Sequence, residues 1–365
     1  MRWSSAEIDT HRRRVSRSVY ERLRVELRRV SDSFIGYFGP ERFVELLGDP
    51  AGLRAVSLLM DEERLSTGSV ELLFRLLKDV LNPEWQVGVV GGSVNERFRV
   101  PEELEDLSTY MGLARREVEA LKLASRMTAK VDGVAVQDGY DLYLHVMVFS
   151  TSGEWSVIQV GHKSVLGRLY QWYSGRVRER SMVDEPHAMI LADSRSRYSL
   201  DFTSSKNVEL REHSLNVLEE REAVLRRVQN SYRPAAQRSL AEFVEGLHDS
   251  DNPLTQPVKV RWSVISQLKS SPPESFEQLL MTRGVGKETL RFLAICSMAL
   301  YRVVPSLEDR AVVSVDDVSL GPESEQLVYD LREAVRFSGL PEVLVEERVR
   351  RFDGLLESLF GEKQN

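Results

Sequence analysis

Residues 142–160 read LYLHVMVFSTSGEWSVIQV. Two apolar runs flank Ser152-Gly153, the pattern of two strands folded back on each other at a tight turn, with Leu142, Val146, Val148, Trp155 and Val157 supplying a buried face. AMILA (188–192) and YSLDF (198–202) suggest two more short strands. Upstream, WQVGVVGGSVNERFRV (85–100) reads as a short strand and a glycine turn ahead of a helix from about Pro101 to Arg126. Outside this block the pattern is helical. Apolar residues recur at helical spacing from 5 to about 82, punctuated by Gly39-Pro40 and Asn82-Pro83, and one long amphipathic helix is expected from Lys206 to about Tyr232.

The expectation is therefore an α+β, predominantly helical fold. A helical N-terminal region (1–85) precedes a central mixed domain (86–232) with a small antiparallel sheet. The polar, proline-bearing HDSDNPLTQP (248–257) closes a linker (233–257) into a C-terminal helical domain (258–365).

The chain of 365 residues carries a formal charge of −7, but the charge is segregated. Residues 11–30 hold eight arginines against two glutamates, whereas 306–363 hold fourteen acidic against seven basic residues. Basic patches on the body are thus compatible with a negative total. Arginine outnumbers lysine 40 to nine; its planar fork suits phosphate, and a GC-rich genome or a hot habitat gives the same bias. No apolar run approaches the roughly 20 residues of a membrane span, and the arginine-rich start lacks a secretory core, which points to the cytoplasm. The single cysteine, Cys296 in FLAICSMAL, excludes an internal disulfide and reads as a buried structural thiol.

TRGVGKETL (282–290) lies between two apolar helical runs. In a helix-hairpin-helix, glycines such as Gly284 and Gly286 bring the backbone close to a phosphate and Val285 pins the turn. The second helix aims its positive end at the anion, with Arg283, Lys287, Thr289 and Arg291 on hand. A plain turn between packed helices fits the same letters. Backbone binding of this kind reads no bases.

The densest polar cluster is KVDGVAVQDGYDLYLH (130–145), with Asp132, Asp138, Asp141 and His145; DEPH adds Asp184, Glu185 and His187. Carboxylates of this kind hold divalent metals, magnesium or manganese, that activate water in phosphodiester hydrolysis. Asp138 and Asp141 are the candidate ligands. Asp141 and His145, four apart on one strand, are expected on one face; turns and structural hydrogen bonds are the alternative uses of the same residues. Between the clusters, Lys163, Arg168 and Arg176 interleave with Tyr170 and Trp172, a mixture that suits an unpaired strand of DNA and equally a core.

GVGKETLRFLAICSMALYR, SRMTAKVDGVAVQDGYDLYLHVMVF, GEWSVIQVG, YQW and VDEPHAMI together resemble the domain of unknown function 763 family, found mainly in archaea, over roughly residues 30–305. The resemblance implies DNA contact through the hairpin and a candidate role as a nuclease in repair or processing. Two stretches depart from the family pattern: DEERLSTG (61–68), where relatives carry Asp-Trp-His-Ser-Ser-Gly, and DRAVVSVDDVSLGP (309–322), which replaces a glycine- and histidine-rich stretch. The expected function is DNA binding with metal-dependent cleavage. The rival is a non-catalytic DNA-binding or scaffolding subunit.

Overall fold

The computed structural model describes residues 7–10, 13–62, 65–81, 83–93, 96–232, 251–256 and 258–361. It opens with two short paired strands, β1 (Glu7–Thr10) and β2 (Arg13–Ser16), where a helix was expected. The helices that follow are α1 (Arg17–Phe38), α2 (Pro40–Gly48), α3 (Pro50–Leu58) and α4 (Thr67–Val80). Gly39 ends α1 at φ 90° and Pro40 opens α2, so the Gly-Pro pair acts as stop and start.

Next come β3 (Val87–Ser93), α5 (Val100–Met111) and α6 (Arg115–Lys130), which continues into a π-turn (Val131–Ala135). Gly112, left-handed at φ 68°, splits the expected single helix in two. The central strands are β4 (Val136–Gln137), β5 (Asp141–Ser150), β6 (Trp155–Lys163) and β7 (Leu166–Tyr173). A short α7 (Ser174–Glu179) leads to β8 (Met189–Ala192) and β9 (Leu200–Asp201). The helix expected over 206–232 is two, α8 (Val208–Asn216) and α9 (Glu222–Ser231). Glu220 is extended at the break, and Lys269 Nζ donates to the freed carbonyl oxygens of Leu218 (2.6 Å) and Glu220.

The linker expected at 233–257 lies outside the described residues except for 251–256, where Pro253–Thr255 forms one 3-10 turn. Beyond it are α10 (Trp262–Ser270), α11 (Phe276–Met281), α12 (Lys287–Tyr301), α13 (Pro322–Arg336) and α14 (Glu342–Phe360).

The main sheet runs β3-β5-β6-β7-β8, every neighbouring pair antiparallel, and β4 pairs with β9 apart from it. Both faces of the sheet are covered, which corrects the single buried face expected for the 142–160 hairpin. Val146 and Val148 turn toward one core, which α1–α4, α13 and α14 complete. Val157, with Leu142 and Trp155 against it, belongs to the other, closed by α5, α6 and α8–α12. Strands buried on both sides read as continuous apolar runs rather than as alternation, and VMVF is such a run.

The 309–322 departure takes part in this architecture. Leu191 of β8 makes a parallel bridge to Val312, with Ala192 N donating to Val312 O (2.9 Å) and Val312 N to Ile190 O (2.8 Å), so the stretch extends the sheet edge. Asp61, from the other departing stretch, pairs with Arg348 of α14 (2.6 Å), whose guanidinium also meets Glu26 of α1 and is fully buried.

Candidate functional site: a basic cleft beside the hairpin

The GVG turn joins α11 to α12. Gly284 is exposed with φ +93°, a conformation that side chains resist, and a Cβ there would lie 2.8 Å from Val264 Cγ2. Val285 is buried, as the pinning residue of the hairpin should be. Gly286 is extended, with open space where a Cβ would sit, so the turn itself does not require a glycine there. Arg283 is exposed at the tip, and Lys287 is the first residue of α12. Thr289 and Arg291, expected to face DNA, point inward: both are buried, and Arg291 Nε donates to Gln137 Oε1 (3.2 Å). The hairpin is tied to the central block, since Lys130 Nζ donates to Val285 O (2.7 Å) and Gln137 Nε2 to Lys287 O (3.0 Å).

Lys287 also lines a cleft of about 610 Å³ between the hairpin, α6, the start of α5 and β5. Its walls carry Arg97, Phe98, Arg126 and Asp141, and its floor carries Ser125, His145 and Gln159. Phe98 is 70% exposed, with the Arg97 guanidinium 4.6 Å from its ring centroid. Lys287 Nζ pairs with the exposed Asp141 carboxylate (3.1 Å). A bulge between Leu142 and Leu144 breaks the alternation of β5, so the four-residue spacing does not put Asp141 and His145 on one face. They meet at the cleft all the same, one at the rim and one on the floor.

His145 is held there by its neighbours on β3 and β6. Gly91, opposite Val146 with φ +91°, lets β3 pass close: a Cβ would lie 2.2 Å from His145 O. His145 Nδ1 lies 2.9 Å from Gln159 Oε1, and Nε2 lies 2.9 Å from Ser125 Oγ. Burial, reinforced by the charge of Arg97, pulls the imidazole down to about 4.

Behind Gln159 the chain continues into the interior. The π-turn aims Asp132 inward, where its carboxylate accepts from Gln159 Nε2 and Trp172 Nε1 (2.8 Å) and pairs with His187 Nε2 (2.6 Å). Burial raises the affinity of Asp132 for a proton against these donors. The structure thus connects Asp132, His187 and, through Gln159, His145.

The other expected catalytic residues are elsewhere. Asp138 is buried and accepts from Arg168 (2.8 Å), Tyr170 Oη (2.6 Å) and Tyr140 N (3.0 Å); Arg168 also grips Asp309 (2.6 Å). With those lone pairs taken, Asp138 does not pair with the exposed Asp141 as metal ligands would, and among the described residues no three His, Cys, Asp or Glu side chains converge on a metal position. Asp184 meets Arg211 (3.1 Å) and Glu185 accepts from Ser205 Oγ (2.7 Å).

The aromatic and basic strip is also corrected. Trp172, Tyr170 and Arg168 are fully buried, the rings in the second core and the guanidinium between carboxylates, so they cannot stack on bases. β7 is a central strand covered on both faces, and it is buried from Gly167 to Trp172. Lys163 reaches Asp251 (3.3 Å), and Arg176 neighbours Glu185 and Arg310. Cys296 is buried as expected, its thiol pushed up to about 12 by burial.

The family model described as protein of unknown function (DUF763) matches residues 4–316. The chain belongs to this family. No curated protein and no solved structure matches it. The family match spans the hairpin, every residue of the cleft and the Asp132 network, and it ends as α13 approaches. No described helix is long and apolar enough to cross a membrane.

Sequence reading missed Arg97, Phe98, Ser125 and Arg126. The signal lies in ERFRV (96–100), an aromatic between arginines after the glycines of β3, and the stretch around Tyr170 and Trp172 shows the same mixture at greater length.

Proposed function

We propose that this family member binds DNA, gripping the backbone at the GVG hairpin and taking an unpaired strand into the adjoining cleft, and that it is a candidate phosphodiesterase of repair or processing. One observation supports this most: Lys287 belongs both to the N-terminal end of α12 and to the wall of the cleft, so a phosphate at the helix end and a strand in the cleft would share one surface. The exposed Phe98 beside Arg97 offers the stacking platform that the buried Trp172 cannot.

Affinity for single-stranded and duplex oligonucleotides, measured against salt, tests the reading. Base stacking contributes roughly 1–3 kcal/mol, so Phe98→Ala weakens single-strand binding about five-fold or more and spares duplex. Lys287→Ala reduces the salt slope by about one unit. Equal binding by all variants refutes the cleft. Cleavage that needs magnesium or manganese and is lost in Asp141→Asn would support a metal at the rim, and binding without cleavage under any condition would support the non-catalytic rival.

A further inference from the structure

On the reading that a phosphodiester enters the cleft, we infer that Ser125 is a nucleophile and His145 its general base. The hydrogen-bond directions support the assignment. Gln159 Nε2 donates to the Asp132 carboxylate, which fixes the amide and leaves Oε1 facing His145 Nδ1 at 2.9 Å. Nδ1 must then carry the imidazole proton, so Nε2 holds a lone pair and the Ser125 hydroxyl, 2.9 Å away, donates to it. A serine donating to a histidine whose other nitrogen is held by an acceptor is the arrangement that activates a hydroxyl. Here Gln159 is the positioning residue.

The location of the pair is as informative as its geometry. A serine inside a helix usually returns its hydroxyl to the carbonyl one turn back, but Ser125 of α6 aims at His145 on the cleft floor. Arg97, close enough for its charge to act on His145, has a buried Nε with no hydrogen-bond partner among the described residues. A phosphate oxygen between Arg97 and Ser125 would satisfy that donor and bring phosphorus to the hydroxyl. Its negative charge would also offset the burial and the guanidinium that hold the imidazole neutral, making His145 a better base when substrate is present.

The step balances with water alone. Ser125 Oγ forms a bond to phosphorus as the bond to the leaving oxygen breaks; the hydroxyl proton passes to His145 Nε2 and on to the leaving oxygen. Water then attacks phosphorus, gives its proton to His145, and Oγ leaves and takes that proton back.

The probe is bis(4-nitrophenyl) phosphate with full-length protein in excess chelator. The wild type is expected to release 4-nitrophenolate and to show, by intact-mass and peptide analysis, a 4-nitrophenylphosphoryl group on the peptide carrying Ser125. Ser125→Ala and His145→Gln are expected to lower release by about 10³-fold or more, with folding checked by thermal unfolding, and Asp184→Asn to leave it unchanged. The adduct is read on the wild type, so it does not depend on any variant folding. Release undiminished in Ser125→Ala, or a wild type that binds DNA yet gives neither release nor adduct, overturns the proposal. An adduct from a protein that does not bind DNA overturns the DNA reading and leaves the serine chemistry standing.

Discussion

Asp132 and Asp138 lie six positions apart, and each is fully buried with its proton affinity raised by that burial. Their surroundings differ. Asp138 faces Arg168, which also holds Asp309 and stacks over Tyr140 with 4.4 Å from guanidinium to ring centroid. That cluster is closed, its chief loose end being Arg168 Nε, which has no hydrogen-bond partner among the described residues. Asp132 faces neutral donors and His187, and through Gln159 it reaches an imidazole that borders solvent space. A carboxylate locked to a guanidinium can only hold the fold together. One that ends in an amide and an imidazole can orient a group that reacts.

Arg168 is the residue on which the Asp138 cluster depends most. Replacing it with methionine leaves Asp138 and Asp309 buried without their cation, and an uncompensated buried charge of this kind costs about 3–5 kcal/mol. Urea unfolding of Arg168→Met is expected to show a loss of that size. A loss under about 1 kcal/mol would mean that the cluster is wet or rearranges, and the contrast with Asp132 would lapse.

Acid distinguishes the two aspartates from the imidazole that Asp132 reaches. The imidazole of His145 takes a proton near 6.5 when unfolded and near 4 when folded, so as pH falls through that window the unfolded state gains the proton first and stability declines. Integrated over the window this amounts to about 3 kcal/mol. Asp132 and Asp138, raised by burial, act in the opposite sense: their contribution is complete at low pH and is lost as pH rises through their folded values. The difference between wild type and His145→Gln from pH 4 to 7 isolates the imidazole, and equal pH dependence in the two would place His145 in water.

The glycines of the hairpin provide the smallest test. Gly284→Ala meets both a positive φ and Val264, and is expected to cost about 1–2 kcal/mol or more. Gly286→Ala meets neither and stays within about 0.5 kcal/mol. Equal effects at the two positions would show that the turn differs from the one described.

Much of the fold could be read from the sequence, because its signals are local. The turn at Gly153, the strands of 142–160 and the stop at Gly39-Pro40 each depend on a few adjacent residues. Gly112 is a local left-handed stop that the apolar spacing on either side masks, whereas the break at Glu220 is held by Lys269 from a distant helix, and no periodicity reveals it. The candidate site was legible only in part for the same reason. Asp132, His145 and His187 stand out by residue type, but only the fold shows that Asp132 pairs with His187 and reaches His145 through Gln159 on a different strand. A buried tryptophan and an exposed phenylalanine among arginines look alike until the sheet is known to be covered on both sides.

Arg348 also bears on how this chain comes into being. Its guanidinium sits wholly inside, between Glu26 of α1 and Asp61, and α13 and α14 cover the same sheet face as the first four helices. During vectorial synthesis that face therefore waits: hundreds of residues emerge before its final cover does, leaving an apolar surface in the nascent chain and Glu26 with Arg22 of its own helix but not yet Arg348. The other face can close earlier, around α12. A ribosome stalled before residue 340 would thus present a finished hairpin and cleft on a half-open body, a species that chaperones would bind and proteases would cut.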